Sequence, residues 1–413
     1  ESGIYLVWAG PTLSNLEIKD NSAQYGGGMY ITWSWPIIED VTIDNNTAQQ
    51  GGGVFIYPSG MNGMNETFNP TTFNNVIFSN NRAISGEQEG GAIYGGQAVA
   101  IEVSNSLFFN NEANEGGAIF LHNYSSAFLD RVTIADNIAP EGAGIYNYWG
   151  SQAVVTNSII SGNEGNSQIT IHETFDENNG THVQSADISY TNLQGGDAGV
   201  IDIDDELVWG DGNIDEDPLF VDAENGDYSL MANSPCINAG DPASELDEDG
   251  SVTDMGAYPY LTDHSGPDWY VSTDGSDISG DGSSESPFAS IQSALNFANA
   301  NDNIHVSEGT YYENIIWPHL TSGISLLGAG VGNSIIDGGG QGTVITIETW
   351  IGGGSASQIG NDTQISGFTI QNGSESGIYL VWAGPTLSNL EIKDNSAQYG
   401  GGMYITWSWP IIE

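Results

Sequence analysis

Short stretches of alternating apolar and polar residues recur along the first half of the chain, and each ends in asparagine. Aligned as seven-residue segments they are 15–21 (NLEIKDN), 40–46 (DVTIDNN), 75–81 (NVIFSNN), 105–111 (NSLFFNN), 131–137 (RVTIADN) and 157–163 (NSIISGN). Their starts lie 25, 35, 30, 26 and 26 residues apart, with insertions near 61–70 and 85–89 in the two longest intervals. A weaker copy, GFTIQNG, occupies 367–373. The fourth position is always apolar (Ile18, Ile43, Phe78, Phe108, Ile134, Ile160), and the alternation around it has the period of a strand. The seventh position is Asn21, Asn46, Asn81, Asn111, Asn137 and Asn163. A glycine-rich motif follows in five coils and leads into Met29-Tyr30, Val54-Phe55, Ile93-Tyr94, Ile119-Phe120 and Ile145-Tyr146.

A repeat of about 25 residues holds two or three short strands and their turns, and stacking such coils sets each column above its copy at about 4.8 Å. Aliphatic columns then merge into one core, and the asparagine column predicts a ladder of side-chain amides at a repeated turn. Glycine at the same height permits tight backbone there. The expected fold is all-β: a right-handed parallel β-helix solenoid. Only 290–299 reads as helical, with Ile291, Ala294, Leu295 and Ala298 on one face. A short helix there would cap the first coil and cover its unpaired edge.

A longer repeat contains the shorter one. Residues 1–39 recur without change as 375–413, an offset of 374. The chain therefore reads as one 374-residue unit plus an overlap into the next, from a longer tandem array. It begins Glu1-Ser2-Gly3 without Met, so its natural N-terminus is expected to lie elsewhere.

Charge narrows the partners. Lys and Arg total 4 against 54 Asp and Glu, a formal net charge of −50. Such a surface repels nucleic acid, anionic lipid and anionic polysaccharide, and favours divalent cations, neutral glycans or basic partners. Few cations also mean few salt bridges, so the carboxylates are solvated or metal-bound. Cys236 is the only cysteine and reads as a small buried hydrophobe. No apolar run approaches the roughly 18–20 residues of a membrane span.

The Gly-Gly-Ala-(Ile/Val)-aromatic and (Phe/Ile)-x-x-Asn pairs resemble the repeats of polymorphic outer membrane proteins and related surface adhesins, within the pectate-lyase-like β-helix superfamily. Residues 268–314 resemble the opening of such bacterial domains. Residues 217–258, with DPLF, GDYSL, NSPCINAGD and DMGAY, are similar to their closing segment. The resemblance implies an extracellular or cell-surface protein. The domain order that follows is 1–203 as the C-terminal part of one β-helix unit, 204–260 as its closing segment, 261–268 as linker, and 269–413 as the N-terminal part of the next unit.

Candidate sites follow. Acidic loops rich enough in oxygen for Ca²⁺ include Asp204, Asp205, Asp215, Asp217, Asp247, Asp249, Asp274 and Asp277. Asp247-x-Asp249-Gly250 suggests a calcium loop, yet Val252 and Tyr258 stand where an EF-hand needs Gly and an acid. Solvated Asx turns are the competing reading. Tyr30, Phe55, Tyr94, Phe120 and Tyr146 form a column next to an aliphatic one, so one of the two faces away from the core. Facing outward, the aromatics make a surface stripe fit for sugar stacking or lateral packing, to which Trp8, Trp33, Trp35 and Trp149 add; ring stacking that stiffens the coil is the alternative. The asparagine column is read as structural.

No catalytic set emerges. Lyase chemistry, as the superfamily resemblance implies it, needs Ca²⁺ with an Arg or Lys base, and only Lys19, Lys393, Arg82 and Arg131 are present. Arg82 and Arg131 occupy different columns. Asp20, Asp44 and Asp136 read as one column that repeats with the coil, and the histidines (122, 172, 182, 264, 305, 319) show no ligand spacing. Six glycosylation sequons, at Asn45, Asn65, Asn123, Asn179, Asn361 and Asn372, are the number such a composition produces by coincidence. The function expected is a structural or adhesive extracellular element whose partners are further copies of itself and neutral glycans. The rival is a carbohydrate-active enzyme or sugar-binding module on the same fold.

Overall fold

The computed structural model describes residues 2–57, 69–84, 86, 88–172, 185–202, 206–318, 321–349 and 359–413. Asp204, Asp205, Asn65, Asn179, His182 and His319 lie outside the described residues. The chain forms two compact units, 1–230 with 235–259, and 231–234 with 260–413.

In the first unit each coil contributes one strand to each of two parallel sheets. One sheet runs through Ile4–Val7, Met29–Thr32, Val54–Ile56, Ile93–Gly96, Ile119–His122, Ile145–Tyr148, Ile169–His172 and Val200–Asp202. The other runs through Thr12–Lys19, Ile37–Asp44, Thr71–Ser79, Ala100–Phe109, Ser126–Ala135, Gln152–Thr156, Ser185–Ser189 and Leu207–Trp209. Every pairing in both is parallel and in register by column, as in Ile18↔Ile43↔Phe78↔Phe108↔Ile134. This is the parallel β-helix read from the periodicity. Met29, Val54, Ile93, Ile119 and Ile145 from the first sheet meet Ile43, Phe78, Phe108 and Ile134 from the second in one continuous core.

The long strands of the second sheet bend in the middle. Asn15, Asp40, Asn75, Asn105 and Arg131 take φ between 48° and 55°, and a second bend places Asp20, Asn45, Asn80, Asn110 and Asp136 at φ between 51° and 60°. Asn and Asp tolerate this left-handed region better than other side chains, which explains why polar residues open and nearly close each seven-residue segment. The same register corrects one column: Asp44 pairs with Lys19, one place earlier than Asp20 and Asp136.

The segment read as closing the first unit lies along the outside of its second sheet. Its antiparallel pair, Phe220–Asp222 with Asp227–Leu230, brings Tyr228 against Phe109, and Tyr228 Oη donates to Asp136 at 2.7 Å. Farther on, Gly256 N donates to Asn157 O at 2.8 Å, and Ala257 N to Thr133 Oγ1 at 3.0 Å. Leu107, Ala135, Tyr228 and Ala257 make a second small core under this strap.

The second unit has the same design. Asp268–Val271, Asn303–Val306, Ser325–Gly328, Gln364–Gln371, Ser334–Asp337 and Gly309–Tyr312 line one parallel sheet, joined through Gln364–Gln371 by Thr386–Lys393; Ile315–Ile316, Thr343–Glu348, Ser376–Val381 and Met403–Thr406 make the other. The helix spans Ile291–Phe297, with Ser290 as its N-cap accepting from Ser293 N, and buries Ile291, Ala294, Leu295 and Phe297. Residues 261–267 belong to this unit. No helix among the described residues is long and apolar enough to cross a membrane.

Glu313 anchors the helix start, accepting from Ile291 N at 2.8 Å and Gln292 N at 2.9 Å. Burial pushes its carboxyl up to about 7, although both N–H groups pull the other way. A carboxyl raised above its unfolded value contributes stability that is present in acid and lost as pH rises through the folded value. Thermal melting of the chain is therefore expected to fall between about pH 5 and pH 8, and Glu313→Gln to flatten that part of the profile. An unchanged slope in the variant assigns the pH dependence to other groups.

Candidate functional site

The asparagine column is a continuous hydrogen-bonded ladder. Backbone N and Nδ2 of Asn21 both donate to Asn46 Oδ1 at 3.0 Å. The same two-donor contact repeats from Asn46 to Asn81, Asn81 to Asn111, Asn111 to Asn137 and Asn137 to Asn163, at 2.9–3.1 Å. The second Nδ2 proton reaches back to the carbonyl of the preceding coil, as from Asn111 to Phe78 O at 2.9 Å. Gln168 Oε1 receives Asn163 Nδ2 at the last rung. From Asn46 to Asn163 both amide protons and the carbonyl are committed, so these side chains brace the turn and present nothing to a ligand.

The aromatic column differs from the expected surface stripe. Phe55, Tyr94, Phe120 and Tyr146 are buried and Tyr30 is half-buried. They do face away from the aliphatic core, but they stack on one another with centroids 4.8–5.5 Å apart, and Tyr57 and Tyr148 pack against them. A column of flat rings spaced by the strand repeat covers its own faces, so outward orientation did not bring exposure.

Two histidines that spacing alone did not connect sit beside this column. Tyr94 Oη is 2.9 Å from His122 Nδ1, and Tyr146 Oη is 2.5 Å from His172 Nδ1. Tyr148 lies between the two imidazoles, its ring 5.3 Å from His122 and 5.5 Å from His172. Register explains the convergence, because His122, Tyr148 and His172 are successive members of one column. The shared pattern Ile119-x-x-His122 and Ile169-x-x-His172 was the available signal. On the neighbouring turn Gln50, Glu89, Glu115 and Glu141 are stacked in parallel register. Burial, and then the Glu141 charge, hold the Glu115 carboxyl above its ordinary range. Two Tyr–His pairs next to a raised carboxyl are groups able to exchange protons.

A third feature is a row of tryptophans at the turn after the first sheet. Trp8, Trp33 and Trp149 all have φ between 49° and 53°. The Trp8 and Trp33 rings stack at 4.6 Å and 7°. A cleft opens beside Trp33 and Trp35, with Ile56, Asn69, Thr71 and Val99 on its walls.

The described members of the proposed calcium set do not converge. Among the described residues no three His, Cys, Asp or Glu side chains gather as a metal would require. Asp215 accepts from Gly195 N, Asp217 from Leu219 N, and Asp249 from Ser251 N and Oγ. Asp247 accepts from Asp254 N and Thr253 Oγ1, and burial raises its carboxyl. Asp277 accepts from Ala289 N, Ser290 N and Ser293 Oγ, holding the approach to the helix. Asp274 lies in an exposed turn. The cations are also committed: Lys19 pairs with Glu17, Lys393 with Glu391 and Arg82 with Glu112, while Arg131 Nη2 donates to Glu245 O. Cys236 is buried, and Asn192 Nδ2 donates to its Sγ.

Comparison with known proteins gives two family matches. Residues 273–406 match a protein family of unknown function, DUF1565, and residues 75–96 match the Chlamydia polymorphic membrane protein repeat. No curated protein sequence matches the chain. Among solved structures, the PL6-family alginate lyase AlyGC aligns over 92% of this chain and 72% of its own, at 11% identity and a TM-score of 0.21. A mutant of the same lyase aligns over 100% and 77%, at 10% identity and a TM-score of 0.17. Periodicity, stacked parallel strands and the family matches make this chain a parallel β-helix that carries repeats of the polymorphic-membrane-protein kind.

Proposed function

We propose that the chain is part of a cell-surface rod, structural or adhesive, built from tandem near-identical β-helix units. One observation carries this reading: the repeated 39 residues take the same register in both units. Ile4, Tyr5, Leu6 and Val7 pair with Met29, Tyr30, Ile31 and Thr32, and their copies Ile378, Tyr379, Leu380 and Val381 pair with Met403, Tyr404, Ile405 and Thr406. In a tandem array the chain continues from Glu413 as it does from Glu39, with Asp-Val-Thr-Ile. The natural coding sequence tests this, and an unrelated sequence at that position removes the support for an array.

Calcium is the second part of the proposal. A charge of −50 calls for counter-ions, and the Asx turns offer oxygen singly. Ca²⁺ is expected to raise the melting temperature above that in Na⁺ at matched ionic strength. Equal melting in the two salts means that screening alone suffices.

The rival reading, a carbohydrate-active enzyme, is favoured by the Tyr94–His122 and Tyr146–His172 pairs, which gather imidazoles and hydroxyls beside the Glu115 carboxyl. New reducing ends or unsaturated sugars after incubation with neutral and acidic polysaccharides would establish it.

A further inference from the structure

Two phenols of the aromatic column meet a base. Tyr94 and Tyr146 are 4% and 1% exposed, and each hydroxyl faces an imidazole nitrogen, His122 Nδ1 at 2.9 Å and His172 Nδ1 at 2.5 Å. Three tyrosines elsewhere differ. Tyr260 and Tyr311 donate to the carbonyl oxygens of Gly280 and Ser307, and Tyr228 donates to the Asp136 carboxylate. A backbone carbonyl cannot keep a proton, and a carboxylate is a far weaker base than an imidazole.

Ring contacts connect the two pairs. Phe120 stacks on Tyr94 at 5.5 Å and on Tyr146 at 5.2 Å, and Tyr148 lies 6.2 Å from Tyr146. In the other direction the column runs from Tyr94 through Phe55 and Tyr30 to Tyr5. In the second unit the copies Tyr379 and Tyr404 stack at 5.2 Å. The surroundings disfavour a phenolate. Burial, and then the Glu115 and Glu141 charges, push the Tyr146 phenol up. An electron can therefore leave only as the O–H bond breaks, and Nδ1 is where the proton goes. A positive charge formed on His172 is met by Glu115, which is close enough to feel it.

We propose that Tyr94–His122 and Tyr146–His172 are proton-coupled redox sites, which take oxidising equivalents from a one-electron oxidant of the peroxide-derived radical class and hold them as buried tyrosyl radicals. In each pair the imidazole carries its own proton on Nε2. The Oη–H bond breaks, an N–H bond forms at Nδ1, and one electron passes to the oxidant. A neutral tyrosyl, an imidazolium and the reduced oxidant result. A thiol or phenol reductant in solution returns the electron, and the imidazolium returns the proton. The rings between the pairs shorten the path by which the radical moves from one to the other. Electron transfer requires proximity and no opening, so burial protects the radical without preventing its formation. The inference goes beyond both the rod and the enzyme and depends on neither.

The test is oxidation of the whole 413-residue chain by flash-generated tris(bipyridine)ruthenium(III), with the radical followed by absorbance and electron paramagnetic resonance. A persistent tyrosyl signal is expected, forming about twofold more slowly in D₂O because a proton moves with the electron. The pair His122→Phe and His172→Phe keeps a ring at each position and removes the base, and should slow formation about a hundredfold. The pair Tyr94→Phe and Tyr146→Phe should abolish the persistent signal. Tyr311→Phe, which removes a buried phenol without a base, should leave it unchanged. The proposal is overturned if the unaltered chain gives no persistent tyrosyl or shows no isotope effect. It is equally overturned if the signal survives without Tyr94 and Tyr146, or forms as fast without the imidazoles. The isotope measurement needs no variant, so it decides the matter even where a substitution prevents folding.

Discussion

Replacing Asn111 by Ala is expected to destabilise the first unit by about 4 kcal/mol, because each buried polar group left without a partner costs about 1–3 kcal/mol. Asn111 Oδ1 accepts from both N and Nδ2 of Asn81, and its own Nδ2 donates to Phe78 O and Asn137 Oδ1. All of these groups lie in a region closed to water, with Asn81, Asn111 and Asn137 fully buried. Asn21→Ala, at a partly exposed rung, should cost about 1 kcal/mol. Asn111→Asp gives a pH signature. The new carboxylate would be buried facing the Asn137 carbonyl oxygen, so its folded pKa rises. Destabilisation should be small below the unfolded value of about 4 and grow as pH increases. Chemical denaturation at several pH values reads both effects. A loss under about 1 kcal/mol for Asn111→Ala would mean that the ladder is ornamental to stability.

Gly91→Ala is expected to cost about 3 kcal/mol or more, at the upper end of overpacking effects. The added Cβ would lie 2.1 Å from Gly117 O and 2.8 Å from Glu112 N, and both are backbone atoms that cannot swing aside. Consecutive coils come so close here that the repeat spacing itself excludes a side chain. Gly250→Ala is the control. Its Cβ meets nothing within 4 Å, so only the strain of φ 86° remains, about 1 kcal/mol. Comparable losses at both positions in thermal melting would show that conformational strain, and not coil-to-coil contact, sets the cost.

The parts of this fold legible in the sequence are those in which every coil says the same thing. A repeat near 25 residues makes vertical neighbours of Ile18, Ile43 and Phe78, so an apolar column implies a core and an asparagine column implies shared hydrogen bonds. The flanking strap was harder to place, because Tyr228 meets Asp136 and Ala257 meets Thr133 across gaps of 92 and 124 residues with no repeat to mark them. Alternation placed Phe120 and Tyr146 outside the aliphatic core but carried no information on how completely stacked rings bury one another. His122 and His172 were read as unrelated because ligand spacing was sought along the chain, whereas a solenoid stacks them in one column around Tyr148. The acidic turns looked like calcium loops in composition. In space they are separate, and several of their carboxylates are spent on nearby backbone N–H groups.

The claim that consecutive units join into one rod is tested most directly by solution scattering from proteins containing one, two and three 374-residue units. With eight coils in the first unit and about four more between 268 and 374, at about 4.8 Å each, the account predicts that every added unit lengthens the particle by about 60 Å at constant cross-sectional radius. Particles that thicken instead, or whose length fails to grow with unit number, would contradict it.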